Sequence, residues 1–174
     1  MAFSVTEFKS NLKQGGARPS LFKVDLLYPS GVTNPPTRSE FLVRASSLPA
    51  SNIGTHEVFF HGKSIKIAGD RTFGDWSITV LNDTNFKLRN AFERWQNGIN
   101  NMSDNEGLTN PVDYQVDAFV DHLDRNGNTV KSYTLRGVFP TVVAPIELTY
   151  DEQTAIEQFD VTFNYQFFES NTTT

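Results

Sequence analysis

Apolar and polar positions alternate along much of the chain, and this two-residue period predicts β-strands. The clearest case is the last segment, where Phe159, Val161, Phe163, Tyr165 and Phe167 alternate with polar residues. One face of that strand suits a core and the other suits water. The strands predicted in this way span 20–28, 39–47, 75–82, 112–123, 129–139 and 156–169, with 141–150 as a further segment before the last of them.

Two short turns are predicted to join strands into hairpins. His61-Gly62 separates GTHEVFF from KSIKIA, so residues 50–68 predict a long hairpin in which Gly62 supplies the positive φ of a tight turn. DRNGN (124–128) contains an Asn-Gly pair, which is typical of hairpin turns. Three prolines and a glycine predict a loop over 29–38.

One segment has a helical period instead, and it predicts a helix over about 84–97. Its apolar residues form a single narrow stripe, so we expect the helix to lie on a sheet. Asp83 or Thr84 can cap its start, and Gly98 stands where a left-handed C-cap is favoured. The stripe consists of Leu88, Ala91, Phe92, Trp95 and Ile99.

These elements predict a mostly β fold, an antiparallel β-sandwich or barrel of roughly eight or nine strands with one flanking α-helix. We expect residues 1–19 to form an N-terminal arm and 20–169 to form the domain. The polar residues 170–174 are expected to be a flexible tail.

Composition narrows the possible functions. The chain has 174 residues, enough for one domain with a real core, and it contains 15 Phe but no Cys, which excludes disulfides and Cys-ligated zinc. A net charge of −5 argues against wrapping nucleic acid. The start lacks the apolar core of a signal peptide, and no apolar run reaches the length of a membrane span. We therefore expect a protein that folds in a cytosol.

No motif predicts catalysis or a cofactor. His56, His61 and His122 lack metal-ligand spacing, and two surface histidines explain the first pair better than zinc does. DHLDRNGN (121–128) differs from a calcium loop, because its glycine is seventh rather than sixth. The chain also lacks a nucleophile elbow and phosphate-binding loops. We expect no enzyme activity, no metal and no cofactor.

The densest group of charged and aromatic residues is AGDRTFGDW (68–76). The simplest interpretation makes Trp76 a core anchor. Arg71 can pair with Asp70 or reach a carboxylate on another chain through its fork of donors. With no nucleophile or base beside it, the group is better interpreted as an assembly joint than as a catalyst. The joint comprises Gly69, Asp70, Arg71, Thr72, Phe73, Asp75 and Trp76.

At these residues the sequence resembles the tail tube proteins of contractile-tailed bacteriophages. AGDRTFGDW is followed by SITVLND and NAFERW, and two further patches agree, ARPSLFKVDLLY and GVFPTVVAPIELTYDEQTAIEQFDVTF. The likeness runs from Ala17 to Glu169. The loop PSGVTNPPTR and the tail after Glu169 are longer than in a minimal member.

The resemblance implies a structural virion protein of a phage tail. Six copies would form a ring, and rings would stack into a hollow tube around a tape-measure protein, inside a contractile sheath. Further partners would be the baseplate hub or tube initiator and the tail terminator. Viral DNA would pass through the lumen without specific binding. The subunit would be made and assembled in the host cytoplasm without inserting into a membrane.

Two surfaces are predicted to serve such a tube. We expect the arm 1–19 and the hairpin 52–68, with Val58, Phe59, Phe60, His61 and Gly62, to make ring-to-ring contacts, because three consecutive apolar residues cannot all face one core. An acidic lumen would repel passing phosphates. The candidates for a lumen or solvent face are Asp113, Asp117, Asp121 and Asp160.

Other functions compete with this one. The nearest alternative is a tube initiator of a baseplate, or the tube of a phage-derived injection system or type VI secretion system that carries effectors. A monomeric β-sandwich binding module is a different class. An enzyme is the weakest alternative.

Overall fold

The computed structural model describes residues 4–12, 16–32, 42–151 and 154–173. Parts of the predicted arm (1–3 and 13–15), of the predicted loop and second strand (33–41), and Thr174 lie outside the described residues. The elements are α1 (Val5–Asn11), β1 (Phe22–Leu26), β2 (Val43–Ser46), β3 (Ser51–Phe60), β4 (Lys63–Phe73), β5 (Trp76–Leu81), α2 (Lys87–Ile99), α3 (Pro111–Tyr114), β6 (Val116–Leu123), β7 (Thr129–Val143), β8 (Gln158–Asn164) and β9 (Phe167–Ser170).

Seven of these strands form two antiparallel sheets that share β7. Sheet A has the order β1-β6-β7-β9, and sheet B has the order β7-β8-β5-β2. β1, β2 and β9 each pair on one side only within the described residues, so the sheets form a sandwich rather than a closed barrel. The predicted mostly β fold class is confirmed.

The core lies between the inner faces of the two sheets. Trp76, Ile78 and Val80 of β5 are buried directly opposite the inward side chains of β8. Val24 and Val120 pair across β1 and β6 in sheet A. Their alternation with polar neighbours is the pattern that the sequence predicts for half-buried strands.

β7 is a single strand of 15 residues, so the predicted strand end at 139 is wrong. Pro140 is tolerated because the ladder between β7 and β8 shifts register beside it, between Pro140 and Val142. Residues 144–150 leave the sheet without further strand pairing. They are exposed apart from Ala144 and Ile146, which are half-buried.

The inward face changes phase where the strands cross from sheet B to sheet A. On β7 both Leu135 and Val138 are buried, although an unbroken alternation places them on opposite faces. The partner strand follows: Tyr165 is buried but Phe167 is 44% exposed. The predicted single apolar face over 159–167 therefore ends at Tyr165, because β8 ends at Asn164 and β9 begins at Phe167, with a bend at Gln166 between them.

α2 covers the inward side chains of β8. Leu88, Ala91, Phe92 and Trp95 are buried, and the ring centroids of Phe92 and Phe163 lie 5.8 Å apart. The indole Nε1 of Trp95 donates a hydrogen bond to the Tyr114 carbonyl at 2.8 Å.

Both ends of α2 differ from the prediction. The helix begins at Lys87 because Phe86 adopts a left-handed φ of 52°, and Asp83 Oδ1 accepts the Lys87 amide at 2.9 Å. It continues through Gly98 to Ile99, and the extended Asn100 ends it.

A one-turn helix, α3, replaces the start of the predicted strand 112–123. Pro111 is favoured in the first turn of a helix, where its missing N–H costs nothing. Asp113 therefore lies on this turn and not on the sheet face proposed for it.

Both predicted terminal segments contain regular structure in part. α1 is a helix without a buried residue, and its Val5 and Phe8 are exposed. The predicted tail begins inside β9, where Ser170 is buried, and Lys131 Nζ donates to Thr172 Oγ1 at 2.6 Å. Among the described residues, no helix is long and apolar enough to cross a bilayer.

The turn between β6 and β7 is closed by Asp124. Its Oδ1 accepts the amides of Asn126 at 2.7 Å and Asn128 at 2.9 Å, as expected for a hairpin turn. These hydrogen bonds, that of the Asn128 amide first, lower the pKa of the Asp124 carboxyl below its usual 3.8. The ionised carboxylate is thus stabilised in the folded state.

We expect Asp124→Ala to lower stability modestly at neutral pH, where the carboxylate holds the turn. A lowered folded pKa gives stability that is present above pH 3.8 and is lost as the pH falls through the folded pKa. The difference between wild type and variant, measured by urea unfolding, should therefore shrink toward about pH 3 or below. If wild type and variant differed in stability by the same amount at neutral pH and at about pH 3, the carboxylate would not be the group that holds the turn. Asp104→Ala, in a separate loop, is the control.

Candidate assembly surfaces

β3 and β4 form a hairpin that extends from one end of sheet B. β2 runs into β3 and β4 runs into β5, so the hairpin continues the β2–β5 pair beyond the body. Every residue of β3 is exposed, and β4 is exposed apart from two half-buried positions. Ten residues at about 3.3 Å each give the hairpin a reach of about 33 Å.

The hairpin has one apolar face, which we define as Val58, Phe60, Ile65 and Ile67. The register pairs Val58 with Ile65, and the two-residue period places Phe60 and Ile67 on the same side. All four are about half exposed or more, at 49% to 63%. The opposite face carries the Glu57–Lys66 ion pair at 3.6 Å. The sequence-based candidates missed Ile65 and Ile67, although the alternation in KSIKIA signals them.

The other candidate residues lie around the hairpin turn. Phe59 is 76% exposed on the polar face, and its partner across the hairpin is Ser64. Both His61 (φ 48°) and Gly62 (φ 79°) have positive φ, which matches the twist of the two strands. The His61 ring stands edge-on to Phe60 with centroids 4.3 Å apart.

The predicted joint lies where the hairpin leaves the body. Trp76 is buried, and its Nε1 donates to the Ser47 carbonyl at 2.9 Å, which ties β5 to the chain entering β3. The Phe73 ring packs 6.0 Å from Tyr165, whose hydroxyl donates to the Ala50 carbonyl at 3.4 Å. Burial, and then the charge of Asp75, raise the pKa of Tyr165. Both strands of the hairpin are thus anchored at its base.

Gly69 and Asp70 form a β-bulge opposite Gly54. The register jumps from Ile53–Arg71 to Thr55–Ala68, so two residues of β4 face one residue of β3. A Cβ on Gly69 would lie 2.9 Å from the His56 ring and 3.2 Å from the Gly54 carbonyl oxygen. Asp70 and Arg71 form no ion pair with any residue that the structure describes.

We expect Gly69→Ala to distort this bulge and weaken self-assembly by roughly 1 kcal/mol, since added atoms in a close contact must be accommodated. The measurement is the critical concentration for assembly. Adding His56→Ala removes the closest contact and should recover part of the loss. If Gly69→Ala assembles like wild type, the close approach of Gly69 to His56 and Gly54 does not determine the direction of the hairpin.

The outer face of sheet A is mostly polar, apart from Phe119 and Phe167, and carries more acidic than basic groups. Arg136 bonds to Asp117 at 2.5 Å and to Glu169 at 2.9 Å. These hydrogen bonds, that of Asp117 first, raise the pKa of the guanidinium. The ionisable residues that point outward, opposite in phase to the buried positions, are Asp25, Asp117, Asp121 and Glu169 against Lys23 and Arg136.

The outer face of sheet B is largely uncharged. Thr79 Oγ1 donates to Asp160 Oδ1 at 2.6 Å, and Ser77 and Thr162 share a hydrogen bond at 3.2 Å. Arg44 donates to Gln158 on the same face. Asp117, Asp121 and Asp160 therefore do not share a surface, since Asp160 lies on the other sheet.

A groove of about 1200 Å³ opens at the end of sheet B opposite the hairpin. It is bounded by Leu81 at the end of β5, by the start of β8 and by the connection after β7. Leu148, Tyr150 and Ile156 around it are highly exposed, at 81%, 100% and 66%. Sequence reasoning did not find this groove, because distant segments form it.

The described residues show no centre for metal chemistry. No three His, Cys, Asp or Glu side chains converge within that part of the chain. The outstanding features are exposed apolar surfaces, free strand edges and a rigid joint. Such features suit contacts between protein chains.

Comparisons with known proteins agree with this description. The sequence profile of the family "Phage tail tube protein" matches residues 17–171. Tail tube protein gp19 of Enterobacteria phage T4 is 32% identical over 154 residues, covering 88% of this chain and 91% of the relative. The tail tube protein of Serratia phage KSP90 is 30% identical, covering 93% and 94%.

Solved structures share the fold at low identity. A chain of the sheath–tube complex of the extracellular contractile injection system PVC, in the extended state, has a TM-score of 0.65 at 12% identity, covering 98% of this chain and 99% of its own. A chain of the anti-feeding prophage baseplate has a TM-score of 0.64 at 13% identity, covering 88% and 94%. Since the profile and the phage relatives match most of the sequence, the chain belongs to the phage tail tube protein family and is a structural component of the virion tail.

Proposed function

We propose that copies of this chain form six-membered rings that stack into the hollow inner tube of a contractile tail, with no catalytic step. The observation that carries the proposal is the hairpin, whose apolar face is exposed along its length. An isolated two-stranded hairpin is marginal in water, and a bare apolar face favours association. A neighbouring copy would support the hairpin and cover its apolar face.

Free strand edges support closure within a ring. Sheet A ends in β1 on one side and β9 on the other, each unpaired outward among the described strands. Different edges meeting head to tail around a rotation axis close into a ring, and no edge remains to aggregate. We propose that sheet A continues from copy to copy in this way.

The outer face of sheet A is the better candidate for the lumen. Its four outward carboxylates and two basic groups leave a net charge of −2 per copy, whereas Arg44 and Asp160 cancel on sheet B. A lumen of that sign would repel DNA phosphates and avoid binding the passing genome. Asp117 and Asp121 would then line the channel, and Asp113 and Asp160 would not.

The remaining partners follow from the tube role. We propose that the tube surrounds a tape-measure protein, lies within a sheath, begins on a baseplate hub and ends at a terminator. Chains of similar fold come from a sheath–tube complex, a baseplate and a tube-terminating cap. The sequence relatives are phage tail tube proteins, which favours DNA over effectors as the cargo.

Electron microscopy of the purified full chain tests this proposal. We expect rings or hollow tubes of uniform width, spontaneously or on added baseplate seeds, and helical reconstruction would identify the strands that line the lumen. A chain that stays monomeric at high concentration and with seeds would contradict it. A lumen lined by the hydroxyl groups of sheet B would overturn only the sheet A assignment.

A further inference from the structure

We propose that the hairpin tip of one copy docks in the groove at the far end of sheet B on a copy in the next ring. This inference rests on the proposed function and adds the receiving surface. The occupant of the groove is thus a second copy of this chain. We define the hairpin tip as residues 58–65.

The strand directions place the hairpin and the groove at opposite ends of sheet B. The hairpin continues from the start of β5, before Trp76, whereas the groove lies at the other end of β5, at Leu81. β8 runs antiparallel, so its groove end is Gln158. The hairpin therefore extends from one end of sheet B, and the groove opens at the other end. Stacking copies along the strand direction brings one toward the other, which is a head-to-tail contact.

Both the hairpin tip and the groove expose large apolar side chains. The tip presents Phe59 and Phe60, which are 76% and 63% exposed. The groove presents Leu148, Tyr150 and Ile156, which a single subunit leaves in water. Joining the two surfaces would bury aromatic area on both sides, as at the centre of protein interfaces.

The charges on the hairpin tip and in the groove are complementary. The groove is lined by three carboxylates, Glu147, Glu157 and Asp160, and by one cation, Arg44. On the hairpin, Lys66 pairs with Glu57, and Lys63 beside the turn forms no ion pair within the described residues. A basic tip thus meets an acidic groove, although the chain as a whole is acidic. Such complementarity fixes orientation and speeds association.

A photo-crosslink in assembled tubes tests the contact directly. With p-benzoylphenylalanine in place of Phe60, we expect mass spectrometry to find adducts on groove residues of another copy, within 147–150 or 154–160. Adducts confined to other segments, such as α1 or the outer face of sheet A, would overturn the groove assignment and leave the proposed function standing. A protein that never assembles, even as wild type with seeds, would overturn both.

A charge exchange provides an independent test. Lys63→Glu should slow tube growth at least about tenfold, because like charges then face each other at the contact. Adding Glu147→Lys should restore most of the rate, whereas Glu106→Lys, on the separate loop after α2, should not. Equal rescue by both lysines would show a general charge effect and overturn the specific contact.

Discussion

Ile65→Asp is expected to abolish tube formation at concentrations where the wild type assembles. Ile65 lies on the apolar hairpin face opposite Val58 and is 51% exposed in the single subunit. Burying a carboxylate there at every ring-to-ring contact should raise the critical concentration at least about a hundredfold, or about 3 kcal/mol. Sedimentation and electron microscopy over a concentration series measure this shift.

Ala68 offers a matched control outside the hairpin tip. It is exposed on the polar face of the same strand, where it pairs with Thr55, so Ala68→Asp adds the same charge three residues away and should change the critical concentration far less. Both variants should keep the wild-type urea midpoint, because the hairpin lies outside the core. If the two variants assembled equally well, the apolar hairpin face would not be an interface.

Phe163→Ala should have the largest effect on stability. Phe163 is fully buried, and its ring lies 5.2 Å from that of Trp76 and 6.3 Å from that of Trp95. It therefore links β5, β8 and α2 at one point. Removing such a ring typically costs about 3–5 kcal/mol, a large share of the roughly 5–15 kcal/mol that holds a domain folded.

Urea unfolding of the unassembled subunit measures this loss. Phe163→Leu keeps most of the volume and should cost about 1.5 kcal/mol or less. Phe167→Ala is the control on the same chain segment, since Phe167 is 44% exposed and should contribute little. A loss for Phe163→Ala below about 1 kcal/mol would mean that α2 does not depend on this ring.

Local periods in the sequence account for most of the secondary structure. The strict alternation of 159–163 and the helical stripe of Leu88 to Trp95 each require one face to be buried, and both segments have such a face. The turns at Gly62 and Asp124 follow from residues that favour those backbone shapes. In each case the cause lies within a few residues.

The remaining features depend on distant parts of the chain. The phase change between Leu135 and Val138 arises where the register against β6 shifts beside Gly137, whose φ is 66°, and this pairing with a distant strand is not visible in a short window. The groove brings together Arg44, Leu81 and residues after 143. α3 is the exception, since Asn110-Pro111 is a local helix-start signal inside a segment that otherwise predicts a strand.

The shared strand β7 also defines a path for mechanical load. A force on the hairpin enters the body through β2 and β5, crosses the ladder to β8, and continues into sheet A along the backbone of β7 and the adjoining β8–β9 run. Load directed along these strands pulls on their ladder hydrogen bonds together rather than one after another. A tube driven through an envelope would thus be supported by the β5–β8 ladder and then by the continuous backbone of β7, which joins the two sheets.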